Sequence, residues 1–264
     1  MRLWFQLLAS ESSMQNSIAA TQTIANKAAS PGTKIEVHGT RHGALGDDYR
    51  LLWNYDSREV IDNGLKVRSG GGYDAFVIAN SLDPGLIELR EMLDVPVVSL
   101  MEVCCHTACM MGERFGILTT SDKFISRFRE MAFGYGLRDR LAAVEAIRFD
   151  DIRAMNGVFD SVAGAEALLA QLGEAARRAI DKGAEVLIAP GPKSALLASR
   201  GIYKIEGVPL LDCYSLLIKM TEALVAMHRI TGTCVSRKRL YKSPPAALLI
   251  KAAESYGVDE LKNG

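Results

Sequence analysis

The sequence predicts an α/β protein with two pseudo-symmetric lobes, each a mainly parallel sheet flanked by helices. Apolar runs of strand length recur at intervals of about 20 to 40 residues, and amphipathic segments lie between most of them. Strands that alternate with helices are typical of a parallel sheet, whose ligands bind beyond the carboxyl ends of the strands. The runs at 74–79 and 185–190 share one pattern: a polar or glycine-rich turn follows, and then a helix-forming segment. This repetition predicts two similar halves with an active-site cleft between them.

The predicted strands follow one another along the whole chain. They are 2–8, 34–38, 74–79, 95–100, 114–119, 143–148, 185–190 and 207–211. The clearest helix is 165–182, in which Leu168, Leu172 and Ala176 recur at helical spacing and Gly183 is a natural C-cap. Further helices are predicted at 214–229 and near 245–255.

We divide the chain into two domains at the strand-poor segments. The first lobe is predicted to comprise 1–98 together with 212–264, and the second lobe 99–211. The long apolar helix after residue 212 is expected to pack back on the first lobe or to bridge the two.

Composition excludes several classes of protein. The formal net charge is +0, so no global charge favours nucleic acid or an anionic membrane. No apolar stretch approaches the roughly 18 residues of a membrane span, and residues 1–8 fit a first buried strand better than a signal peptide. The cysteine count of 5 is odd, which is typical of a reducing compartment, so we expect a cytoplasmic protein.

Four polar turns follow predicted strands and precede predicted helices, at 10–13, 80–83, 119–122 and 191–194. Their side-chain oxygens can cap the helices, and the remaining N–H groups favour a carboxylate or a developing enolate oxyanion. Ser10, Asn80 and Ser81 are therefore candidate substrate-binding residues.

Several motifs together resemble the hydantoin racemases of the aspartate/glutamate/hydantoin racemase superfamily. The first half carries the resemblance in 74–79, 83–86, 95–98 and 116–120, and the second half in 183–188 and 207–212. The resemblance implies a two-lobe fold with an interlobe cleft, a small-molecule substrate, no metal or organic cofactor, and often an oligomer. It also implies that Thr119 and Thr120 help to hold the substrate.

The chain departs from this family at the catalytic positions. The relatives' two cysteines correspond to Asn80 (or Ala79, in another anchoring) and to Gly191. Neither asparagine nor glycine can carry a proton, so two-thiol racemisation is not expected. We expect instead a hydrolytic or ring-opening reaction on a small carboxylate or cyclic amide. The alternatives are isomerase or lyase chemistry on a small carboxylate, or a small-acid binding protein without catalysis.

Three residues are candidates for the proton step. Lys193 follows Gly191 at a helix start, where burial can lower its pKa or let it bind a carboxylate. His42 titrates near neutrality, and Glu102 opens the helix-like segment at 102–111 and is a candidate general base.

Further candidates bind substrate or replace a thiol. Arg41 can bind a carboxylate through two hydrogen bonds, and Tyr49 lies in a loop at 41–57 that is long enough for a lid. Whether Cys213 or Cys105 replaces the missing thiols stays open. No metal-ligand set has the usual spacing, and the apolar helix at 104–111 is a candidate homo-oligomer interface.

Overall fold

A computed structural model describes residues 1–147 and 162–262. In this part of the chain the residues group into two compact units. Unit 1 contains Met1–Ala79, Asp83–Ser99 and Ile218–Gly264, and unit 2 contains Asn80–Leu82 and Leu100–Leu217. The predicted end of one strand at residue 148 lies outside the described residues.

Unit 1 is built on a four-stranded parallel sheet with the order β2-β1-β3-β4. Its elements, in chain order, are β1 Arg2–Ser10, α1 Gln15–Ala28, β2 Lys34–Thr40, α2 Arg50–Gly70, β3 Ala75–Ile78, α3 Leu86–Met92 and β4 Val97–Ser99. The strands are buried because apolar side chains on both faces meet helices. One core cluster joins Leu8, Phe76 and Ile78 of the sheet to Val60 of α2 and Leu89 of α3.

Unit 2 is built on a parallel sheet of its own with the order β6-β5-β7. Its elements are α4 Leu100–Met111, β5 Phe115–Thr119, α5 Asp122–Gly134, β6 Leu141–Ala146, α6 Val162–Asp181, β7 Val186–Ile188, α7 Pro192–Ser199, β8 Lys204–Ile205 and β9 Val208–Pro209. The two short strands β8 and β9 pair antiparallel. Leu168 and Leu172 of α6 pack on Leu118 and Leu187 of the sheet, as the helical spacing of the sequence predicts.

The two sheets repeat one topology. Unit 1 has the order β2-β1-β3-β4, and unit 2 has the order β6-β5-β7. At the position that corresponds to β4, unit 2 has a single parallel bridge between Leu187 and Leu210. In unit 1 the chain adds strands to one side of β1 and then to the other, so the strand order reverses between the neighbouring parallel strands β1 and β3. In unit 2 the order reverses between β5 and β7 in the same way. The predicted α/β class with mainly parallel sheets flanked by helices is confirmed for each unit. The predicted strand at 207–211 shortens to β9 and this single bridge.

Two helices complete the chain, and both were predicted. They are α8 at Cys213–Thr231 and α9 at Ala246–Tyr256. Glu222 of α8 fixes this helix within unit 1, since its carboxylate accepts hydrogen bonds of 2.7 Å from both the N–H and the hydroxyl of Ser30. No helix in the described part of the chain is long and apolar enough to cross a membrane.

Candidate active site

The points where strand order reverses determine where a site is expected in each unit. In doubly wound sheets, ligands bind beyond the carboxyl ends of the strands on either side of such a point. In unit 2 these strands are β5, which ends at Thr119 and is followed by Thr120, and β7, which is followed by the turn at Gly191. In unit 1 they are β1, which ends at Ser10, and β3, which is followed by Asn80.

The turn after β7 contains Gly191, and two buried polar residues follow it in the chain. Gly191 occupies the N-cap position of α7 with φ 76° and ψ −150°, a backbone conformation that favours glycine. A Cβ at this position would meet no atom within 4 Å, so the turn adjoins open space. Lys193 and Ser194, in the first turn of α7, are only 5% and 1% exposed. The prediction that Lys193 lies at a helix start is therefore confirmed, and the side chain is buried.

Cys213 lies next to this turn. The N–H of Leu211 donates to the carbonyl of Leu187 at 3.0 Å, which carries the chain along β7 to its carboxyl end. Asp212 then caps α8 by accepting the N–H of Ser215 at 3.2 Å and its hydroxyl at 2.6 Å. Cys213 is thus the first residue of α8, and its own N–H donates to the Ser194 hydroxyl at 2.9 Å.

The surroundings of Cys213 favour its ionised form. A hydrogen bond from the Cys104 thiol of α4 holds the pKa of the Cys213 thiol below its ordinary value, and burial opposes this effect. A hydrogen bond from the Ser194 hydroxyl and the positive charge of Lys193 lower the pKa further, while Asp212 raises it. The start of a helix adds to the stabilisation of a thiolate. While protonated, the sulfur donates to the Leu211 carbonyl at 3.6 Å.

The turn after β5 supplies hydroxyl groups to the same end of the sheet. Thr119 and Thr120 are 1% and 4% exposed. Ser121 caps α5, because its hydroxyl accepts the N–H of Lys123 at 3.2 Å. This is the one predicted turn among the four in which a side chain caps the following helix. In the other three, the N-cap residues Met14, Gly85 and Gly191 make no side-chain capping bond.

Asn80 uses its carbonyl oxygen within its own turn. The oxygen accepts the N–H of Leu82 at 2.8 Å, which makes a local turn and leaves the amide nitrogen as the donor of the side chain. Asn80 and Ser81 are half-buried and group with unit 2. The sequence left two roles open for Asn80, an oxyanion donor and a helix cap. Asn80 caps no helix, so the role of oxyanion donor remains as a prediction.

In unit 1 the candidates Ser10, Arg41 and His42 lie together at the ends of β1 and β2. The Ser10 hydroxyl donates to the Arg41 carbonyl at 3.5 Å, while the Arg41 side chain is exposed. The His42 ring contacts the Glu59 carboxylate of α2, and the His42 N–H donates to the same carboxylate at 3.2 Å. Glu59 therefore fixes the loop after β2.

The predicted lid at 41–57 is wrong in its second half. Helix α2 begins at Arg50, so only residues 41–49 form a loop and Tyr55 lies in a helix. Tyr49 stands at the N-cap position of α2 and is 54% exposed. The helix was missed because its first turns expose Leu51 and Leu52, which removes the amphipathic pattern from this stretch.

The buried carboxyl group of Asp56 hydrogen-bonds the loop at 41–49. Asp56 of α2 accepts the N–H of Leu45, and burial raises its pKa to about 6, with contributions from the charges of Asp47 and Glu59. Its second oxygen is buried without a hydrogen-bond partner. Asp56 is thus a structural group of the loop, and it was not among the predicted residues.

The two predicted residues of α4, Glu102 and Cys105, differ in burial. Glu102 is half-buried, whereas Cys105 is 1% exposed. Cys104, next to Cys105, is the residue that contacts Cys213. Of the two thiols left open by the sequence, Cys213 lies beyond the carboxyl end of β7, near Lys193.

Comparison with known proteins identifies the family. The family profile described as Asp/Glu/Hydantoin racemase matches residues 7–221. The chain belongs to this family. A hydantoin racemase of Pseudomonas sp. (strain NS671) is 28% identical over 186 residues, which are 70% of each chain. A hydantoin racemase of Rhizobium meliloti is 29% identical over 187 residues, 71% of each chain.

A solved member of the family extends the similarity to nearly the whole chain. The allantoin racemase from Klebsiella pneumoniae superposes with a TM-score of 0.78 at 26% identity, covering 93% of this chain and 94% of its own. The family resemblance seen in the sequence motifs is therefore confirmed.

The sequence alone did not reveal the group formed by Cys104, Ser194 and Cys213. A weak signal existed, since Cys213 directly follows the predicted strand end at 207–211. Nothing in the sequence indicated that a helix of the same unit brings Cys104 to it. Within the described residues, no group of three or more His, Cys, Asp or Glu side chains is arranged to hold a metal ion.

Proposed function

We propose that this chain is a cofactor-independent isomerase that removes and returns a proton on the carbon next to a carbonyl in a small cyclic ureide. The membership in the Asp/Glu/Hydantoin racemase family over residues 7–221 carries this proposal. Its relatives are named hydantoin and allantoin racemases, and both names denote molecules with the same five-membered ureide ring. A small carboxylate with an acidic α-carbon is the second substrate class to test.

The chemistry requires stabilisation of the enolate that forms when the proton leaves carbon. Buried, preorganised N–H, O–H and ammonium groups do this best, because they need no reorganisation during the reaction. Unit 2 offers such groups beyond β5 and β7: the hydroxyls of Thr119 and Thr120, the ammonium of Lys193 and the N–H groups of the Gly191 turn. The proposal draws support from their place in the chain, since these groups lie at or just after the carboxyl ends of β5 and β7, where a ligand of such a sheet is expected.

The isomerase proposal replaces the hydrolytic reaction expected from the sequence. That expectation rested on the absence of cysteine from the turns at 79–85 and 189–192. The relatives give hydrolysis no support, since those compared are named as racemases. Lys193, His42 and Glu102 stay proposed catalytic residues, and Ser10, Arg41, Tyr49, Asn80, Ser81, Thr119, Thr120 and Gly191 stay proposed binding residues.

The test is incubation of the purified protein with enantiopure allantoin or a 5-substituted hydantoin in heavy water. Loss of circular dichroism together with deuterium at the ring carbon, faster than without protein, supports the proposal. A product that is heavier by one oxygen in a parallel run in heavy-oxygen water indicates ring opening and contradicts it. Binding of the ligands without either change also contradicts it.

A further inference from the structure

The strands β1 and β2 of unit 1 lose their regular pairing before they end. Up to Gln6, which lies opposite His38, the two strands pair without interruption, and the next paired residues are Ser10 and Thr40. Between these pairs β1 has the three residues 7–9, whereas β2 has a single residue. The extra residues of β1 break the ladder of backbone hydrogen bonds, and a break of this kind redirects the chain that follows it.

The side chain of Gln6 supplies hydrogen bonds at the point where the ladder is broken. It is only 1% exposed. Its amide nitrogen donates to the carbonyl of Leu7 at 2.8 Å and to that of Gly39 at 2.7 Å. Its amide oxygen accepts the indole N–H of Trp4 at 2.8 Å and the amide N–H of Asn63 at 3.1 Å. The two donors and two lone pairs of this amide are therefore all used.

These partners require an amide at position 6, in one orientation. Carbonyl groups only accept, so the amide nitrogen must face Leu7 and Gly39. The indole N–H only donates, so the amide oxygen must face Trp4. An ionised glutamate would have no N–H for the carbonyls, and methionine, which has a similar length, would have neither donor nor strong acceptor. Either change leaves buried polar groups without partners, which is costly.

Gln6 also connects β1 to the end of β3. Its backbone carbonyl accepts the N–H of Ala79, the residue after β3, at 2.8 Å. From α2, Asn63 donates to the Gly39 carbonyl at 3.1 Å as well as to the Gln6 side chain. One residue of β1 is therefore bonded directly to the carboxyl-terminal parts of β2 and β3.

The extra residues of β1 hold the loop that follows β2. The carbonyl of Leu8 accepts the N–H of Ala44 at 2.9 Å. A Cβ at Gly39 would lie 2.2 Å from the carbonyl oxygen of Ala9, so this segment passes directly against β2. The loop at 41–49 is thus bonded to the irregular part of β1 and not to the regular ladder.

We infer that Gln6 is a positioning residue of the proposed site: its buried amide stabilises the interrupted pairing of β1 and β2, and this interruption sets where Ser10 and the loop at 41–49 leave the sheet. Ser10 and Arg41 are proposed binding residues, so the inference rests on the proposed function for its effect on substrate. The role of Gln6 in the pairing of the strands stands on unit 1 alone.

The first experiment tests the strands and needs no substrate. Gln6→Met keeps the length of the side chain and removes its amide. We expect the N–H of Ala44 to exchange with heavy water at least about tenfold faster in this variant, because its acceptor, the Leu8 carbonyl, belongs to the segment that Gln6 stabilises. Hydrogen exchange followed by NMR measures this rate.

Gln22→Met is the matched control for this experiment. Gln22 is a half-buried glutamine of α1 whose amide also bonds the backbone of β2. It accepts the N–H of Val37 at 3.0 Å and donates to the carbonyl of Ile35 at 2.9 Å, in the regularly paired part of the strand. Its loss should accelerate exchange at Val37 and leave Ala44 unchanged.

The second experiment measures the effect on substrate. Gln6→Met should raise KM for the ureide at least about tenfold and change kcat less, because displaced binding groups weaken the ground state and the transition state together. Gln22→Met should leave KM unchanged. A merely structural role of Gln6 would reduce the folded, active fraction and with it the apparent kcat, but KM would not move.

A milder variant decides if Gln6→Met does not fold. Asn63→Ala removes one donor from Gln6 and one from the Gly39 carbonyl, while Gln6 itself stays. It should accelerate exchange at Ala44 and raise KM in the same direction, each by about threefold. No change in either quantity overturns the inference.

The two proposals fail separately. If the protein isomerises no ureide or carboxylate, but Ala44 responds to Gln6→Met and not to Gln22→Met, the proposed function is wrong and the role of Gln6 in the strand pairing stands. If the protein is an isomerase and Gln6→Met changes neither the exchange at Ala44 nor KM, the proposed function stands and the role of Gln6 is wrong. Equal responses of KM to both substitutions also overturn the inference.

Discussion

The backbone N–H of Cys213 donates a hydrogen bond of 2.9 Å to the hydroxyl of Ser194, and both residues are almost fully buried. This bond joins the start of α8 to the first turn of α7. The Ser194 hydroxyl also donates to the Cys213 sulfur, which lowers the pKa of that thiol. A single serine therefore serves both the backbone and the thiol.

Ser194→Ala should lower the free energy of unfolding by about 1–3 kcal/mol, because it leaves a buried N–H without an acceptor. Urea unfolding followed by circular dichroism measures this loss. Ser199→Ala, at an exposed position of the same helix, removes only a bond to the Leu196 carbonyl and should change stability by less than about 0.5 kcal/mol. Equal losses in the two variants contradict the assignment.

Lys193→Met should lower kcat of the proposed isomerisation by about 100-fold or more while preserving the fold, because methionine fills a similar volume without the charge. Racemisation followed by circular dichroism measures the rate. The control is Lys27→Met, which changes an exposed lysine at the end of α1 and should leave the rate unchanged. Full activity of the Lys193 variant excludes this residue from the reaction.

Glu222→Gln should destabilise unit 1 at neutral pH by about 1–3 kcal/mol. Burial alone raises the pKa of Glu222, but hydrogen bonds from Ser30, Thr33 and Lys219 outweigh it and lower the pKa to about 2. A lowered carboxyl pKa contributes stability above the unfolded-state value, near 4.3, and that contribution is lost as pH falls toward 2.

The difference in the free energy of unfolding between the unmodified protein and Glu222→Gln should therefore decrease as the pH is lowered from 7 to 3. Glu88→Gln, at an exposed position of α3, is the matched control and should show no such trend. A pH-independent difference for Glu222→Gln would show that its contribution is not electrostatic.

Asp56→Asn should stabilise the protein at pH 8 by about 2 kcal/mol, since asparagine keeps the acceptor for the Leu45 N–H and removes a buried charge. The folded pKa of about 6 exceeds the unfolded value, so ionisation of Asp56 costs stability as pH rises through 6. At pH 4, near the unfolded-state pKa of about 3.9, the folded carboxyl is neutral and the gain should fall to less than about 0.5 kcal/mol. Asp62→Asn, which removes an exposed pair with Arg58, should change stability by less than about 1 kcal/mol at either pH.

Gly39→Ala should lower the free energy of unfolding by about 3 kcal/mol or prevent folding. A Cβ at this position of β2 would lie 2.2 Å from the carbonyl oxygen of Ala9, and backbone atoms cannot move aside cheaply. Gly70→Ala is the control, because a Cβ there meets no atom within 4 Å at the end of α2, and it should stabilise by about 0.5–1 kcal/mol. Thermal unfolding of the two variants measures these changes, and a Gly39→Ala variant as stable as the unmodified protein contradicts the prediction.

The sequence predicted the strands and the long helices because their apolar periodicity is strong. The helix predicted at 165–182 is α6, at Val162–Asp181, and the one predicted at 214–229 is α8, at Cys213–Thr231. Residues 50–57 were expected to belong to a loop, whereas α2 begins at Arg50. Apolar periodicity reveals a helix only where one of its faces is buried, and the apolar residues in the first turn of α2 are exposed.

The chemistry of the site was predicted less completely than its position. The strand ends could be located from pattern alone, and Lys193 was found there. Its burial could not be predicted, since lysine is nearly always exposed and only packing shows an exception. The approach of Cys104 to Cys213 depends on how α4 and α8 pack in unit 2, which residue types alone do not determine.

The backbone at Gly191 also limits how this chain can evolve. With φ 76° and ψ −150°, the position accommodates a residue without a side chain, and any cysteine there would be strained even though the space in front of it is open. A Gly191→Cys substitution would therefore require a second change that reshapes the turn.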